Sequence, residues 1–227
     1  MPGILLAIGY ASLFLYLIHR SRFFRVDGVP DRWVLAVFVL KVMAGTALWA
    51  LYTYVIVDRP NADIYRYFDD SAVMYSALKT SPGDYLRMLT GIGNDSPHFD
   101  SLYYRVMNNW YRKYESNMYN DAHTIIRFNA LVRLFSFGHI HVHTVFAAFL
   151  AFVGSIGLVK AIAGLMPRLV KPLFLAVFVI PSVLFWSSGV IKETFLVFAL
   201  GLLIWLVFGA LGRRVKGWLL LLIVPLS

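Results

Sequence analysis

The chain has 227 residues, of which 59% are hydrophobic and only 15% are charged, and this balance excludes an ordinary soluble globular protein. It contains no cysteine, which excludes disulfide bonds and thiolate metal sites. The net charge of +9 does not indicate nucleic-acid binding, because the surplus basic residues lie in short segments at the ends of apolar runs, as in cytoplasmic loops of membrane proteins. We therefore expect an all-α, polytopic transmembrane protein.

The first two apolar runs predict two membrane spans. Residues 2–18 would reach about 25 Å as a helix, and no signal-peptide cleavage site follows them, so we expect a retained helix with its N-terminus outside. Basic residues at 19–25 mark a cytoplasmic loop, and residues 33–57 then cross outwards. Lys41 lies within this second span, where its long side chain is expected to snorkel towards the cytoplasmic surface.

Residues 58–138 form the long polar segment of the chain. They contain nine of the twelve acidic residues and nine basic residues, and the topology places them outside the cytoplasm. Residues 69–79 and 102–114 are predicted as interfacial helices with aromatic side chains on one face. The turn cluster Ser81-Pro82-Gly83-Asp84 separates them. A further apolar helix over 124–137 is expected to pack at the outer leaflet.

The remaining sequence predicts three more crossings. Residues 139–165 cross inwards, residues 172–186 cross outwards with a kink or a break at Pro181, and residues 194–211 return inwards to a basic loop. The last eleven residues, 217–227, are too few for a span of roughly 20 residues. The expected architecture is one transmembrane domain over 1–227, with about five full spans and a partial one, and we interpret the chain as the N-terminal part of a longer protein.

The acidic cluster after the second span is the first candidate for chemistry. A carboxylate at a membrane surface can act as a general base or as a ligand for a divalent cation. Asp63 and Asp70 are seven residues apart and would share a helical face, whereas Asp63 and Asp69 would not. The alternative is a solvated loop in which Asp69 caps the following helix.

The stretch beginning at Asp63 and continuing to Arg66-Tyr67, directly after a span, resembles the membrane glycosyltransferases of the GT-C type. Its pattern is similar to the Asp-Glu-x-Arg-Tyr stretch of the enzymes that transfer aminoarabinose to lipid A, and the protein mannosyltransferases carry a related acidic pair. Ile64 stands where that family has glutamate, so the second acid of the pair is open, with Asp69 and Asp70 as candidates.

A second stretch, from Pro181 through Phe185-Trp186-Ser187 to Lys192-Glu193, looks like the later outer turn of the same family. In that family a proline, an aromatic-serine step and an acidic residue begin the next span. The resemblance covers roughly residues 33–211. It implies a polyprenyl-phosphate-linked sugar as donor and a glycan, lipid or protein as acceptor, in the plasma membrane of a bacterium, with the long loop on the extracytoplasmic side.

The resemblance also implies roles for individual residues. Asp63 would orient or deprotonate the acceptor hydroxyl, and Asp69 or Asp70 would assist it. The lipid phosphate would be held by a fixed cation, and the candidate residues for binding substrate are Lys192, Arg66, Arg127, Tyr67 and Glu193. Lys192 has the alternatives of an ion pair with Glu193 or a contact with lipid headgroups. The resemblance implies no definite cofactor, and a divalent cation is an option.

Other functions remain open at this point. His139, His141 and His143 invite a metal site, but a helix would align only His139 and His143, and no acidic or cysteine ligand is adjacent in sequence. A polysaccharide polymerase, a transporter subunit and a non-catalytic membrane scaffold are the alternatives to a glycosyltransferase. A transporter would be expected to carry ionisable groups inside its spans and internal inverted repeats. Only Lys41 lies inside a span and the sequence shows no repeat, so the sequence favours a transporter less than an enzyme.

Overall fold

The computed structural model describes residues 2–56, 58–59, 61–110 and 122–211. Within these ranges the secondary structure is helical and no strand is present. Four helices are long and apolar enough to cross a bilayer. They are α1 (Pro2–Arg20), α2 (Asp31–Ala50, extended by a π-helical turn Leu51–Val55), α7 (Ile140–Leu165) and α10 (Lys192–Leu211). The membrane class that the composition predicts is thus supported. The basic loop expected near 213–216 and the short segment 217–227 lie outside the described residues.

The remaining elements are shorter and connect or cover the long helices. In chain order they are a 3₁₀ turn at Arg22–Phe24, α3 (Asp63–Thr80), α4 (Pro82–Thr90), α5 (Pro97–Leu102), a 3₁₀ turn at Tyr104–Val106, α6 (Ala122–Ser136), a 3₁₀ turn at Pro167–Leu169, α8 (Val170–Val179) and α9 (Pro181–Trp186).

Ring contacts fix the relative directions of the long helices. The ring centroids of Tyr10 and Phe146 are 5.1 Å apart and those of Phe14 and Phe149 are 4.2 Å apart, so α1 and α7 run parallel. Phe38 lies 5.3 Å from Phe152, whereas Gly45, further along α2, faces Thr144 at the start of α7, so α2 runs antiparallel to α7. The starts of α1 and α7 and the end of α2 therefore meet at one end of the bundle, which we call the loop end.

Helices α7 and α10 pack against each other through glycines. A methyl group added to Gly154 would overlap the backbone of Phe198, and one added to Gly201 would overlap the backbone of Gly154. Gly157 faces Gly201 and Trp205 in the same seam. Small residues at such a seam allow two membrane helices to approach closely, which strengthens van der Waals packing in a solvent that offers no hydrophobic driving force. The contacts also show that α10 runs parallel to α7.

The segment expected as one outward span over 172–186 consists of two short helices. Helix α8 ends at Val179, Ile180 has a non-helical backbone, and Pro181 begins α9. Proline has no N–H to donate to the preceding turn and its ring excludes a continuous helix, which is the physical reason for the break. Of the two expected effects of Pro181, a kink or a break, the structure shows the break.

A buried aromatic cluster holds the membrane part together. Phe38 and Phe152 are fully buried at the centre of α1, α2 and α7, and Phe174 and Phe178 bring α8 against the same cluster. The rings of Phe152 and Phe178 lie 5.4 Å apart and those of Phe174 and Phe178 4.8 Å apart, within the range of favourable aromatic pairs. Packing of this kind positions the helix ends that carry the polar residues.

Helices α3 to α6 form a layer at the loop end, which we call the loop domain, and Val132 of α6 also packs into the aromatic cluster of the membrane part. The loop domain's own buried cluster includes Tyr67, Met74, Met88 and Ile126, so α3 and α6 pack on each other instead of lying singly on a bilayer. The break expected at 81–84 is observed, since α3 ends at Thr80 and Pro82, which suits the first position of a helix, begins α4. The helix expected over 102–114 is not found between residues 103 and 110, where a 3₁₀ turn and the extended Met107 occur, and residues 111–114 lie outside the described residues.

Candidate functional site

The start of α3 positions Asp63 at the loop end. Asp63 is the first helical residue, after Ala62 in an extended conformation, and its negative charge at a helix N-terminus is favoured by the helix dipole. Ala62 and Ile64 on either side of it are buried, while Asp63 itself is half-buried. The buried neighbours fix the backbone, and the carboxylate lies at the edge of the loop domain, where it can meet a ligand.

The Lys192-Glu193 turn also lies at this end of the bundle. Gly189 packs so closely on Leu48 that an added methyl group would lie 2.5 Å from a Leu48 side-chain carbon. Val190 is fully buried in the same cluster as Ala62 and Ile64. Helix α10 begins directly afterwards, with Lys192 half-buried and Glu193 exposed. The first residues of α3 and α10 are thus joined by one hydrophobic cluster.

Tyr52 connects the two acidic positions. It lies in the π-helical turn that extends α2, and its ring packs against the loop-domain cluster. Ala62 and Ile64, which flank Asp63, and Val190, two residues before Lys192, belong to the same cluster. Asp63 and Glu193 therefore both lie in the neighbourhood of Tyr52, within the range over which their charges act on its phenol. We call Tyr52, Asp63, Lys192 and Glu193 the loop-end site.

The other two predicted aspartates have contacts of their own. Asp70 is buried and accepts hydrogen bonds from the backbone N–H groups of Asn108 (2.9 Å) and Asn109 (2.7 Å). Burial raises the pKa of the Asp70 carboxyl, while these bonds act in the opposite direction. Asp69 forms an exposed pair with Arg59, whose Nε and terminal nitrogen donate at 3.1 and 2.7 Å. Asp70 therefore anchors residues 108–109, Asp69 holds the chain before α3, and we leave both out of the loop-end site.

Arg66 and Tyr67 lie on the same face of α3 as Asp63, three and four residues further on. Tyr67 is buried in the loop-domain cluster. The Nε of Arg66 is buried and has no hydrogen-bond partner among the described residues, and its positive charge acts on Asp70. Arg66 is thus directed into the loop domain next to Asp63, and its buried donor makes it the better candidate of the two for contact with a ligand.

Arg127 lies elsewhere in the loop domain. Its Nε donates to the carbonyl of Met88 at 2.9 Å and its guanidinium lies 5.4 Å from the centroid of the Trp110 ring. The side chain therefore ties α6 to the end of α4. These contacts do not bring it to the loop-end site, and a phosphate-binding role for it has no support from the packing.

The three histidines do not converge on one point. His143 is fully buried and bonded on both ring nitrogens, to Asn129 Oδ1 at 2.6 Å and to Ser136 Oγ at 2.7 Å. His141 packs edge-on against Trp49 at 4.4 Å, and His139 packs against Gly3 at the start of α1. Serine, histidine and asparagine are the residue types of a nucleophile and its base, but all three are fully buried, so the set serves as a polar link between α6 and α7.

Lys41 differs from the expectation that it would snorkel to the surface. Its side chain is 2% exposed, and its ammonium donates to Ser187 Oγ at 2.7 Å. The hydroxyl of Ser187 in turn donates to the carbonyl of Val183 at 2.5 Å. The break at Pro181 places this serine opposite α2 and so provides a polar partner inside the bundle, which is why the side chain turns inwards. The sequence features that could have indicated this contact are a lysine within an apolar span and the two serines, Ser187 and Ser188, that follow a short helix.

A small cavity lies at the end of the bundle opposite the loop end. It has a volume of about 10 Å³ and is lined by residues including Ile18, Phe24 and Val34. This volume suits a single water molecule and not a sugar. No group of three histidine or acidic side chains suited to a metal ion occurs among the residues that the structure describes. Searches of family models, curated proteins and solved structures give no match to this chain.

Proposed function

We propose that the protein is a membrane glycosyltransferase that moves a sugar from a polyprenyl-phosphate donor to an acceptor hydroxyl at the loop end. The observation that carries the proposal is the packing of Ala62, Ile64, Val190 and Tyr52 in one hydrophobic cluster, which brings Asp63 at the start of α3 and Glu193 at the start of α10 to the same end of the bundle. The sequence resemblance left the second acid of the pair unassigned, because Ile64 occupies its position. Glu193 now supplies that second acid from a different helix. With the loop domain extracytoplasmic, the enzyme would act at the outer face of a bacterial plasma membrane.

The chemistry assigns a separate task to each charged group. The acceptor oxygen attacks the anomeric carbon, the bond from that carbon to the phosphate oxygen breaks, and the electron pair of that bond leaves with the lipid phosphate. Asp63 accepts the acceptor's proton, a contribution of typically 10²–10⁴-fold in rate. Glu193 is the acid that orients the acceptor beside Tyr52. Direct displacement inverts the anomeric configuration.

The leaving lipid phosphate gains negative charge as the bond breaks, so a fixed cation beside it stabilises the transition state more than the ground state. Lys192 is adjacent to Glu193 at the start of α10 and supplies this charge, aided by the positive end of the helix dipole. Arg66, one turn from Asp63, is the second cation that can grip a phosphate, since a guanidinium binds two phosphate oxygens at once.

The test measures a reaction product that is the same for every acceptor. The full chain in lipid vesicles is supplied with undecaprenyl-phosphate-linked arabinose, mannose or glucose and with a bacterial membrane extract as the source of acceptor, and free undecaprenyl phosphate is measured over time. We expect release from at least one donor, and a loss of 10²–10⁴-fold in the Asp63→Asn variant. Asp95→Asn, which neutralises an exposed acid of the loop domain, is the matched control and should retain the parent rate. Equal rates for Asp63→Asn and the parent protein would favour a scaffold.

A transporter subunit is the second candidate, because a buried lysine faces a broken helix. Discontinuous membrane helices commonly form substrate sites near the middle of transporters, and an ionisable group inside the membrane is a candidate for such a site. The two candidates differ in their dependence on Lys41. The Lys41→Met variant should retain release of undecaprenyl phosphate if the protein is a transferase, and should lose transport if the lysine binds the cargo.

A further inference from the structure

The C-terminal half of α6 has an apolar face that the other described elements leave largely exposed. Leu131, Leu134 and Phe135 are spaced as one side of a helix and are all exposed, and Phe137 directly after the helix is 78% exposed. Contiguous exposed apolar surface of this kind marks a surface that contacts a partner or a membrane. The feature requires an explanation because the opposite side of α6 is well packed.

The only charged residue of this stretch points away from the apolar face. Arg133 is buried, donates to Ser71 Oγ at 2.8 Å and to the carbonyl of Phe68 at 2.6 Å, and lies 4.1 Å from the centroid of the Phe68 ring. Its charge is therefore satisfied inside the loop domain. From Leu131 to Gly138 the outer surface carries no charge, as a surface in contact with hydrocarbon requires.

Contacts with α1 and α7 give the depth of this face. The hydroxyl of Tyr10 donates to the carbonyl of Phe135 at 3.1 Å, and the Phe135 ring stacks on Phe146 of α7 at 6.4 Å. Tyr10 is eight residues from Pro2, or about 12 Å along α1 at 1.5 Å per residue. Since α1 has only 19 residues, nearly all of it is needed to cross a hydrocarbon core of about 30 Å. Phe135 therefore lies at a level within one leaflet of roughly 15 Å.

We propose that the C-terminal half of α6 is immersed in the leaflet at the loop end, with Leu131, Leu134, Phe135 and Phe137 in contact with acyl chains. The apolar face of α6 is next to the side of α1 that carries Tyr10, where Leu13 and Leu17, three and seven residues further on, are exposed. The bilayer that surrounds α1 therefore also covers α6, and a separate protein partner is not required. Thr124, at the other end of α6, is exposed and polar, so the helix descends from the headgroups into hydrocarbon.

This immersion would fix the loop domain to the membrane surface independently of any catalytic role. Helix α3 packs along α6, so the height of α6 sets the height of α3. The immersion of α6 concerns only the position of the protein in the bilayer, so its test does not depend on the glycosyltransferase assignment.

Because the chain contains no cysteine, a single introduced cysteine can be spin-labelled without first removing native thiols. Single variants Leu134→Cys and Phe137→Cys carry a nitroxide in the full chain, reconstituted in phosphatidylcholine vesicles. Ser76→Cys is the matched control, because Ser76 is an exposed helical residue of α3 on the polar side of the loop domain. Collisions of each label with oxygen, which concentrates in hydrocarbon, and with a water-soluble nickel chelate are measured by power saturation.

We expect oxygen accessibility to exceed nickel accessibility at positions 134 and 137, and the reverse at position 76. Higher nickel accessibility at 134 and 137 would place the face in water and overturn the proposal. Low accessibility to both reagents would show that a second copy or another protein covers the face, and would overturn it as well. Agreement between the two positions is required, so a local effect of one label does not decide the outcome.

Discussion

Replacing Asp70 with asparagine should loosen the loop domain without acting on the loop-end site. Both carboxylate oxygens of Asp70 accept backbone N–H groups, from Asn108 and Asn109. An asparagine side chain has one oxygen, which can accept a hydrogen bond from one of these two N–H groups. Its NH₂ group would face the other N–H group and cannot accept a hydrogen bond from it. At least one hydrogen bond to a charged group is lost, which costs about 1.5–3 kcal/mol.

Amide hydrogen exchange in detergent or vesicles measures this loss where it occurs. If the amides of residues 108 and 109 exchange through local opening, a loss of about 1.5–3 kcal/mol accelerates their exchange about 10- to 150-fold, because 1.4 kcal/mol corresponds to a factor of ten. Amides in the middle of α7, which are in a different packed layer, should exchange at the parent rate.

The control for this experiment is Asp95→Asn, which removes an exposed carboxylate from the same domain. It should leave the exchange of residues 108 and 109 unchanged, which separates the loss of the anchor from a general loss of charge. Unchanged exchange at these two amides in Asp70→Asn would refute the anchoring role, and Asp70 would again be a candidate catalytic acid.

Three further predictions concern other parts of the fold. Hydrogen bonds from His98, Ser81 and Tyr103 hold the pKa of the Asp84 carboxyl below its ordinary value of 3.8, so this anchor of α5 is complete above about pH 4 and is lost as the pH falls through the lower folded pKa. Pepsin cleavage near α5 is measured in the parent protein and in Asp84→Asn at the same pH. The ratio of the parent rate to the variant rate should be below one at about pH 4 and rise towards one as the pH falls. A ratio that does not change with pH would contradict the assignment. Ser187→Ala should destabilise the bundle by about 1.5–3 kcal/mol because it removes the partner of a buried ammonium, whereas Lys41→Met should be neutral or stabilising. Thermal unfolding in detergent distinguishes the two, and equal losses would contradict this account. Gly154→Ala should cost about 1–3 kcal/mol by overpacking the seam with α10, while Gly164→Ala, where an added methyl group meets nothing within 4 Å, should unfold at the parent temperature or higher.

Features encoded by local sequence were predictable. Long apolar runs give the four long helices, since burial of backbone groups in hydrocarbon requires helical hydrogen bonding, and Pro181 gives the break between α8 and α9. Between residues 103 and 110 the predicted helix is absent because an aromatic-rich segment can bury its side chains without forming a helix. There Tyr104 and Trp110 stack with centroids 4.7 Å apart, and the backbone amides of 108 and 109 bond to Asp70.

The roles of individual polar residues depended on contacts between distant positions. Asp70 shares a helical face with Asp63. Its role as an anchor depends on a hydrogen bond from the backbone of Asn108, 38 residues later in the chain. The inward turn of Lys41 depends on a serine 146 residues away. The position of Glu193 at the same end of the bundle as Tyr52 and Asp63 likewise follows from how α10 packs on α7, which no local pattern encodes.

The central claim is that Asp63 and Glu193 act as one unit in sugar transfer. The most direct test is the rate of undecaprenyl phosphate release in the Asp63→Asn, Glu193→Gln and double variants, measured side by side with the parent protein. Groups that act together in one step are strongly non-additive, so each single variant should lose about 10²–10⁴-fold and the double variant should be hardly slower than the slower single one. A double variant whose loss equals the product of the two single losses, or a Glu193→Gln variant as fast as the parent, would contradict the account.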